Sequence, residues 1–287
     1  MGFFSKLLNQ SQPAACVLPE THAVVRQVVT VLGYDVVATP DYGARVAPAI
    51  NFAVEFFDKQ IAQIPGPFDI SAAHYMHDPL VHAMFPARQD IAHGIGRSMD
   101  VKQPLAFIAG ADQPEVFGLL GVRRQKNDGS ALSFADHTLR CLAATESGAR
   151  QGLRTAALTR LLTAYQEHLD RLRKHEKLPR SEWNVENRPD SAAAEADKDG
   201  VVLASEQLVA DNMLKGLVAW LQRPGDHLQV LVNSQGSAGD AAHQIDALPV
   251  LQIRDRRRWH VCFVRFPTAE GVAAMHNEQG QHRYIRI

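Results

Sequence analysis

Apolar residues recur at helical spacing through the first hundred positions. Residues 19–32 and 43–64 place an apolar side chain every three or four positions, and the two stretches stop at Gly33 and at Pro65. This spacing predicts two amphipathic helices. Asp78 followed by Pro79 predicts the start of a short third helix, with Asp78 as its N-cap, and residues 90–99 a fourth. The N-terminal part is therefore expected to be helical.

The pattern changes near Pro104. Residues 105–109 and 116–124 are mostly apolar and flank a turn-forming stretch, which predicts a β-hairpin over 103–125. Helical spacing returns over 134–177, where apolar residues alternate at steps of four and three. This interaction seam consists of Leu158, Leu162, Tyr165, Leu169 and Leu172. Such a/d spacing is typical of a coiled-coil-like helix, although Gly148 and Gly152 weaken its first half.

A change of composition divides the chain after the long helix. Residues 186–203 contain little to bury and are expected to be a linker. Beyond them a helix over 205–222 precedes strands at 228–232, 250–254, 259–266 and 284–287. The strand at 259–266 is apolar on both faces, which predicts a central place in its sheet.

These elements predict an α+β fold. Residues 1–185 would form a mainly helical domain with the hairpin at 103–125 and the long helix at 134–177. Residues 204–287 would form a helix with a small antiparallel β module.

Composition and charge exclude several classes of protein. The 287 residues include 46% hydrophobic residues, with 30 Lys and Arg against 31 Asp and Glu. This near-neutral balance gives no electrostatic reason to expect nucleic acid as the main partner. Three widely spaced cysteines, Cys16, Cys141 and Cys262, favour a reducing cytoplasm. We expect no transmembrane segment, although residues 1–8 could make a weak peripheral membrane contact.

A group of histidines is the first candidate for chemistry. His74 and His77 would share a helical face with Asp78, and His82 follows closely, so that a metal ion could be held there. Pro79 opposes this arrangement because it disfavours helical backbone at Asp78. The metal site therefore stays one of two open alternatives.

Arginines form the second candidate. Arg256, Arg257 and Arg258 lie in a turn between two predicted strands, within the basic stretch 254–258. Their guanidinium groups could bind an anion, a nucleotide phosphate or RNA. Gly94–Ile95–Gly96 lacks the third glycine and the preceding strand of a dinucleotide loop, so no cofactor is expected.

Four short segments carry a resemblance. Residues 78–85, 133–137, 144–146 and 264–267 resemble an uncharacterised group of bacterial cytoplasmic proteins. The resemblance implies a helical N-terminal part, a central hairpin, a long helix and a β-rich end. It implies no activity and no functional residue.

Taken together, the sequence favours a non-enzymatic cytoplasmic scaffold or regulatory interaction protein. The interaction seam of the long helix would bind a protein partner or a second copy in a homodimer, with Arg256 to Arg258 as a further contact. The alternatives are a metal-dependent enzyme or sensor, and an anion or RNA binder.

Overall fold

The computed structural model describes residues 41–98, 101–125, 133–177, 208–231, 248–253 and 258–282, together with Val28 and Thr39. The chain divides into two compact units. Unit 1 combines residues 1–55 with 161–223, and unit 2 combines residues 56–160 with 224–287.

The described residues contain seven α-helices and six strands, which confirms the α+β class. The helices are α1 Tyr42–Ala62, α2 Pro79–Met84, α3 Arg88–Arg97, α4 Lys102–Gly110, α5 Glu146–Lys177, α6 Ala210–Leu221 and α7 Thr268–His282. The strands are β1 Phe68–Asp69, β2 Glu115–Gln125, β3 Ser133–Ala143, β4 Leu228–Leu231, β5 Val250–Ile253 and β6 Trp259–Pro267.

Unit 2 contains the whole six-stranded sheet. Its order is β3-β2-β6-β5-β4, and the short β1 pairs in parallel with β6. Strand β6 lies between β2 on one side and β5 and β1 on the other, so the prediction of a central strand at 259–266 is confirmed. The sequence predicts a separate C-terminal β module. In the structure, β4 to β6 belong to the same sheet as the β2–β3 hairpin.

One face of the sheet packs against four short helices. Cys262, Val264 and Phe266 of β6 point to this face and are buried in one cluster with residues of α2, α3, α4 and α7. Consecutive strand residues point to opposite faces, which places Val261 and Phe263 on the other side, where they are also buried. A strand buried on both faces is apolar throughout, and β6 has that composition.

The first turns of α5 cover part of the second face at very short range. A Cβ on Gly148 would lie 3.0 Å from the Cβ of Ala143, and one on Gly152 would lie 3.4 Å from the Cβ of Cys141. Glycine at both positions lets the helix approach β3 closely. Helix α5 runs unbroken through Gly148 and Gly152, although glycine lowers the intrinsic helix propensity at each of them.

The chain reaches the sheet through a tight turn after α1. Gly66 has a φ of +113°, and a Cβ there would overlap the backbone oxygen of Phe263. The Phe263 N–H donates to the Pro65 oxygen at 2.8 Å. Glycine is therefore required at position 66 both by its backbone angle and by its contact with the central strand.

Several predicted elements are correct in place and type. Helix α1 agrees with the prediction for 43–64, although Pro48 lies inside it rather than near its start. The long helix is present, but it begins at Glu146 rather than at residue 134. The expected N-terminal helix at 19–32, the linker at 186–203 and the strand at 284–287 lie outside the described residues, Val28 excepted.

The predicted central hairpin is present, but its predicted bounds of 103–125 are wrong. Residues 102–110 form helix α4, and the hairpin consists of β2 with β3, a strand where a helix was expected. Asp136 and Cys141 of β3 adopt positive φ angles of 56° and 55°. These residues interrupt the alternation of apolar and polar positions in the strand, which explains why its sequence resembles a helix. The final helix, α7, was not predicted.

Candidate functional site

The predicted interaction seam of α5 is buried inside the chain. Leu158, Leu162, Tyr165 and Leu169 have almost no exposed surface, and Leu172 is half-buried. The side chains that were expected to meet a partner are therefore already covered. Binding of a second molecule through this seam stays a prediction, and these side chains already have neighbours in their own chain.

Helix α6 provides the covering contacts within unit 1. The Tyr165 hydroxyl donates to the Met213 oxygen at 2.7 Å, and Trp220 Nε1 donates to the Leu161 oxygen at 3.1 Å. The rings of Tyr165 and Trp220 meet edge to face, with centroids 5.4 Å apart. Burial raises the pKa of Tyr165 to about 12. The apolar spacing of α5 thus reflects packing against its own chain.

The three candidate metal ligands do not converge. His74 and His77 lie in turns that follow Ser71, while His82 lies on α2, where its ring faces that of Tyr75 with the centroids 5.1 Å apart. Within the part of the chain that the structure describes, no three His, Cys, Asp or Glu side chains form a group able to hold a metal ion. The metal-site alternative is therefore not supported by the arrangement of these residues.

The separation of the histidines has the local cause that the sequence indicates. The Asp78 carboxylate accepts hydrogen bonds from the Leu80 and Val81 N–H groups, and Pro79 occupies the first turn of α2. The predicted N-cap is confirmed. Because α2 starts there, His74 and His82 belong to different elements.

The arginine candidates fall mostly outside the described residues. Arg256 and Arg257 are not among those residues, and Arg258 is exposed immediately before β6. Strands β5 and β6 pair antiparallel, as expected from the predicted hairpin. Residues 1–8, the possible membrane contact, also lie outside the described part.

Two other sequence candidates have structural explanations. Gly94 and Gly96 lie within α3, where Gly94 lets the helix pass close to His137 of β3. Cys262 is fully buried in the central strand, and burial is the main reason its pKa rises to about 12. A thiol in this state has little thiolate character, so Cys262 contributes packing rather than chemistry.

A polar cluster that was not predicted lies at the end of β1. The Asp69 carboxylate accepts the Ser71 N–H at 2.9 Å, and its Oδ2 lies 3.2 Å from His74 Nδ1. The Ser71 hydroxyl oxygen lies 3.0 Å from the same nitrogen. The spacing Asp69, Ser71, His74 directly after a predicted turn could have revealed this cluster, because Asp with Ser two residues on is typical of an Asx turn.

The cluster carries more negative than positive charge. Arg265 of β6 lies 3.7 Å from Asp69 and 3.7 Å from Glu115, and Glu270 accepts the Ala72 N–H at 2.9 Å. Burial acts to raise the pKa of Asp69. The hydrogen bonds from Ser71 and the charges of His74 and Arg265 outweigh it and hold that pKa below its usual value.

A second unpredicted feature is the outer face of α4. Leu105 and Ile108 of this helix are buried, whereas Phe107 exposes 79% of its surface. We call the exposed residues on that side the α4 outer face: they are Gln103, Ala106, Phe107, Gly110 and Ala111. None of these five is charged, and the exposed charged residues Lys102 and Asp112 adjoin the face at its two ends.

Among the helices of the described segments, none combines the length and apolar content needed to cross a membrane. A comparison of the chain with models of known protein families, with curated proteins and with solved structures finds no match.

Proposed function

We propose that this chain is a scaffold or regulatory interaction protein that self-associates through the α4 outer face. The observation that carries the proposal is Phe107, a large aromatic side chain with 79% of its surface exposed on a helix that is apolar on its other side as well. A helix with large apolar side chains on two opposite faces is normally covered on both of them. The proposed compartment is the cytoplasm, because three widely spaced cysteines are typical of a reducing environment.

The chemistry of the α4 outer face favours a second copy as the occupant. In a two-fold interface each surface meets its own equivalent, so a charged surface would repel itself. Ala106, Gly110 and Ala111 flank Phe107 without any charge, and their small side chains allow two helices to approach closely. A face of this kind is complementary to itself.

The size of the contact predicts a weak dimer. Burying one Phe side chain contributes about 1.5–3 kcal/mol, so the pair supplies about 3–6 kcal/mol before the cost of association. Nine residues of helix provide a contact at the small end of the range for specific interfaces. We therefore expect an equilibrium between monomer and dimer that depends on protein concentration.

Sedimentation velocity and light scattering across a wide concentration range test the proposal. The average mass should rise with concentration, and Phe107→Glu should keep it at the monomer value, because dimerisation would bury two like charges without partners. Phe52→Glu is the matched control, since Phe52 exposes 49% of its surface on α1 and should leave the rise unchanged.

Two results would overturn the proposal. One is a mass that stays at the monomer value over the whole range for the unmodified chain. The other is a mass that rises equally for the chain and for Phe107→Glu. A circular dichroism spectrum identical to that of the unmodified chain shows that Phe107→Glu still folds, as expected for a change at an exposed position.

The earlier seam hypothesis predicts a different result. If the seam of α5 were the interface, Leu162→Glu would give a folded monomer. Because Leu162 is buried within the chain, the expected outcome is instead the loss of native structure in unit 1.

A further inference from the structure

We propose that His74 is a reactive imidazole, positioned by Asp69, that attacks uncharged acyl compounds such as simple esters. The reacting atom is Nε2. This inference is independent of self-association through the α4 outer face, because it rests on the cluster at the end of β1.

The contacts at Nδ1 determine which nitrogen carries the proton. Asp69 Oδ2, which can only accept a hydrogen bond, lies 3.2 Å from Nδ1, and its negative charge favours the tautomer with the proton on Nδ1. The Ser71 oxygen at 3.0 Å is compatible with this because a hydroxyl oxygen also accepts. In neutral His74 the lone pair must then lie on Nε2.

The same contacts fix the direction of the ring. Ser71 is buried, its oxygen accepts the His74 backbone N–H at 3.3 Å, and the Asp69 carboxylate lies 3.2 Å from the ring Nδ1. The His74 side chain is nevertheless 56% exposed. A base held by a carboxylate on one nitrogen while the other is accessible is the arrangement used to activate imidazole in catalysis.

The surroundings select the class of substrate. Asp69, Glu115 and Glu270 contribute three negative charges, against one positive charge from Arg265, so an anionic substrate would be repelled. Met76, two residues after His74, exposes 73% of its surface and offers an apolar contact. An uncharged acyl compound satisfies both conditions.

The reaction balances with water as the only co-reactant. The Nε2 lone pair forms a bond to the acyl carbon, the bond from that carbon to the alkoxide breaks, and the alkoxide leaves with the electron pair. Asp69 stabilises the positive charge on the acylated ring, which keeps its Nδ1 proton. Water then adds to the acyl carbon, the carbon–nitrogen bond breaks, and the proton released from water goes to the alkoxide. The products are a carboxylic acid and an alcohol.

Reaction with diethyl pyrocarbonate, an uncharged acyl reagent, provides the test on the full chain. Peptide mass spectrometry gives a modification rate for each histidine. We expect His74 to react about tenfold faster than His77, the rate equivalent of roughly 1.4 kcal/mol. His77 is the matched control because it is exposed in the same region, and the structure describes no hydrogen bond or ion pair for its ring.

Two variants and one spectroscopic measurement complete the test. Asp69→Asn should reduce the rate at His74 to that at His77, and His74→Gln should reduce hydrolysis of p-nitrophenyl acetate by the protein. Nitrogen-15 NMR of the unmodified chain should show the proton on Nδ1. Equal rates at the two histidines, or a proton on Nε2, would overturn the proposal even if Asp69→Asn failed to fold.

Discussion

Replacing Arg150 with Met should destabilise unit 2 far more than an ordinary surface substitution. Arg150 lies on α5, and its guanidinium donates to the Ile61 oxygen at 3.1 Å and to the Ile64 oxygen at 3.4 Å. The Ile61 oxygen lies in the last turn of α1 and also accepts the Ile64 N–H at 3.1 Å, and the Ile64 oxygen lies two residues beyond the end of that helix. The guanidinium carbon also lies 4.3 Å from the centre of the Phe263 ring.

The expected loss of stability in Arg150→Met follows from these contacts. Hydrogen bonds that involve a charged group contribute about 1.5–3 kcal/mol each. A cation over an aromatic ring contributes about 0.5–2 kcal/mol. Met keeps much of the packing of the Arg stem, and water replaces part of the lost hydrogen bonding, so we expect a loss of about 3 kcal/mol. The partly exposed pair with Glu146 adds little to this value.

Urea unfolding followed by circular dichroism measures the loss. A change of about 3 kcal/mol moves the midpoint by about 1 M when the slope is near 3 kcal/mol/M. Hydrogen exchange of the β6 amides then shows whether the loss is in unit 2. Arg173→Met is the control, because Arg173 forms an exposed pair with Asp170 on the same helix. A loss below about 1 kcal/mol for Arg150→Met, the level of a surface pair, would refute the reasoning.

Two further predictions concern the turn after α1 and the pH dependence of stability. Gly66→Ala should destabilise the fold or prevent folding, because the new Cβ would overlap the Phe263 oxygen; an unchanged urea midpoint would contradict this. Burial lowers the pKa of His137, against the opposing effects of the Met84 carbonyl, Asp90 and Asp136. As the pH falls, His137 is therefore protonated in the unfolded chain before it is protonated in the folded chain. The contribution of His137 to the free energy of unfolding is complete above pH about 6.5 and declines as the pH falls below that value. The urea midpoint of the chain should therefore fall more between pH 7.5 and 5 than that of His137→Gln, and equal falls would exclude the effect.

The sequence predicted those elements whose signals are local. Asp78 with Pro79 marks the start of α2 because an N-cap and a proline act within one turn, whatever the rest of the chain does. The turn beginning at Pro65 marks the end of α1 for the same reason. Strand β6 was placed correctly because burial on two faces leaves a continuous apolar run.

Predictions from the sequence were incomplete where a contact between residues far apart in the chain determines the structure. Residues 105–109 are all apolar, so their spacing cannot distinguish a strand from a helix. The α5 seam was predicted correctly as an apolar helix face, but spacing does not show whether the covering partner belongs to another molecule or to α6. The Asp69–His74 contact depends on a turn geometry that neither residue shows by itself.

The place of β6 in the sheet has a consequence for synthesis on the ribosome. Strands β2 and β3 form a hairpin, but β2 pairs along its other edge with β6, which is made more than a hundred residues later. During that interval the nascent hairpin presents an open edge of strand, a known starting point for wrong association between chains. Unit 2 can close only after translation has passed Pro267, so chaperones that shield nascent strands should affect the yield of folded protein more than its final stability.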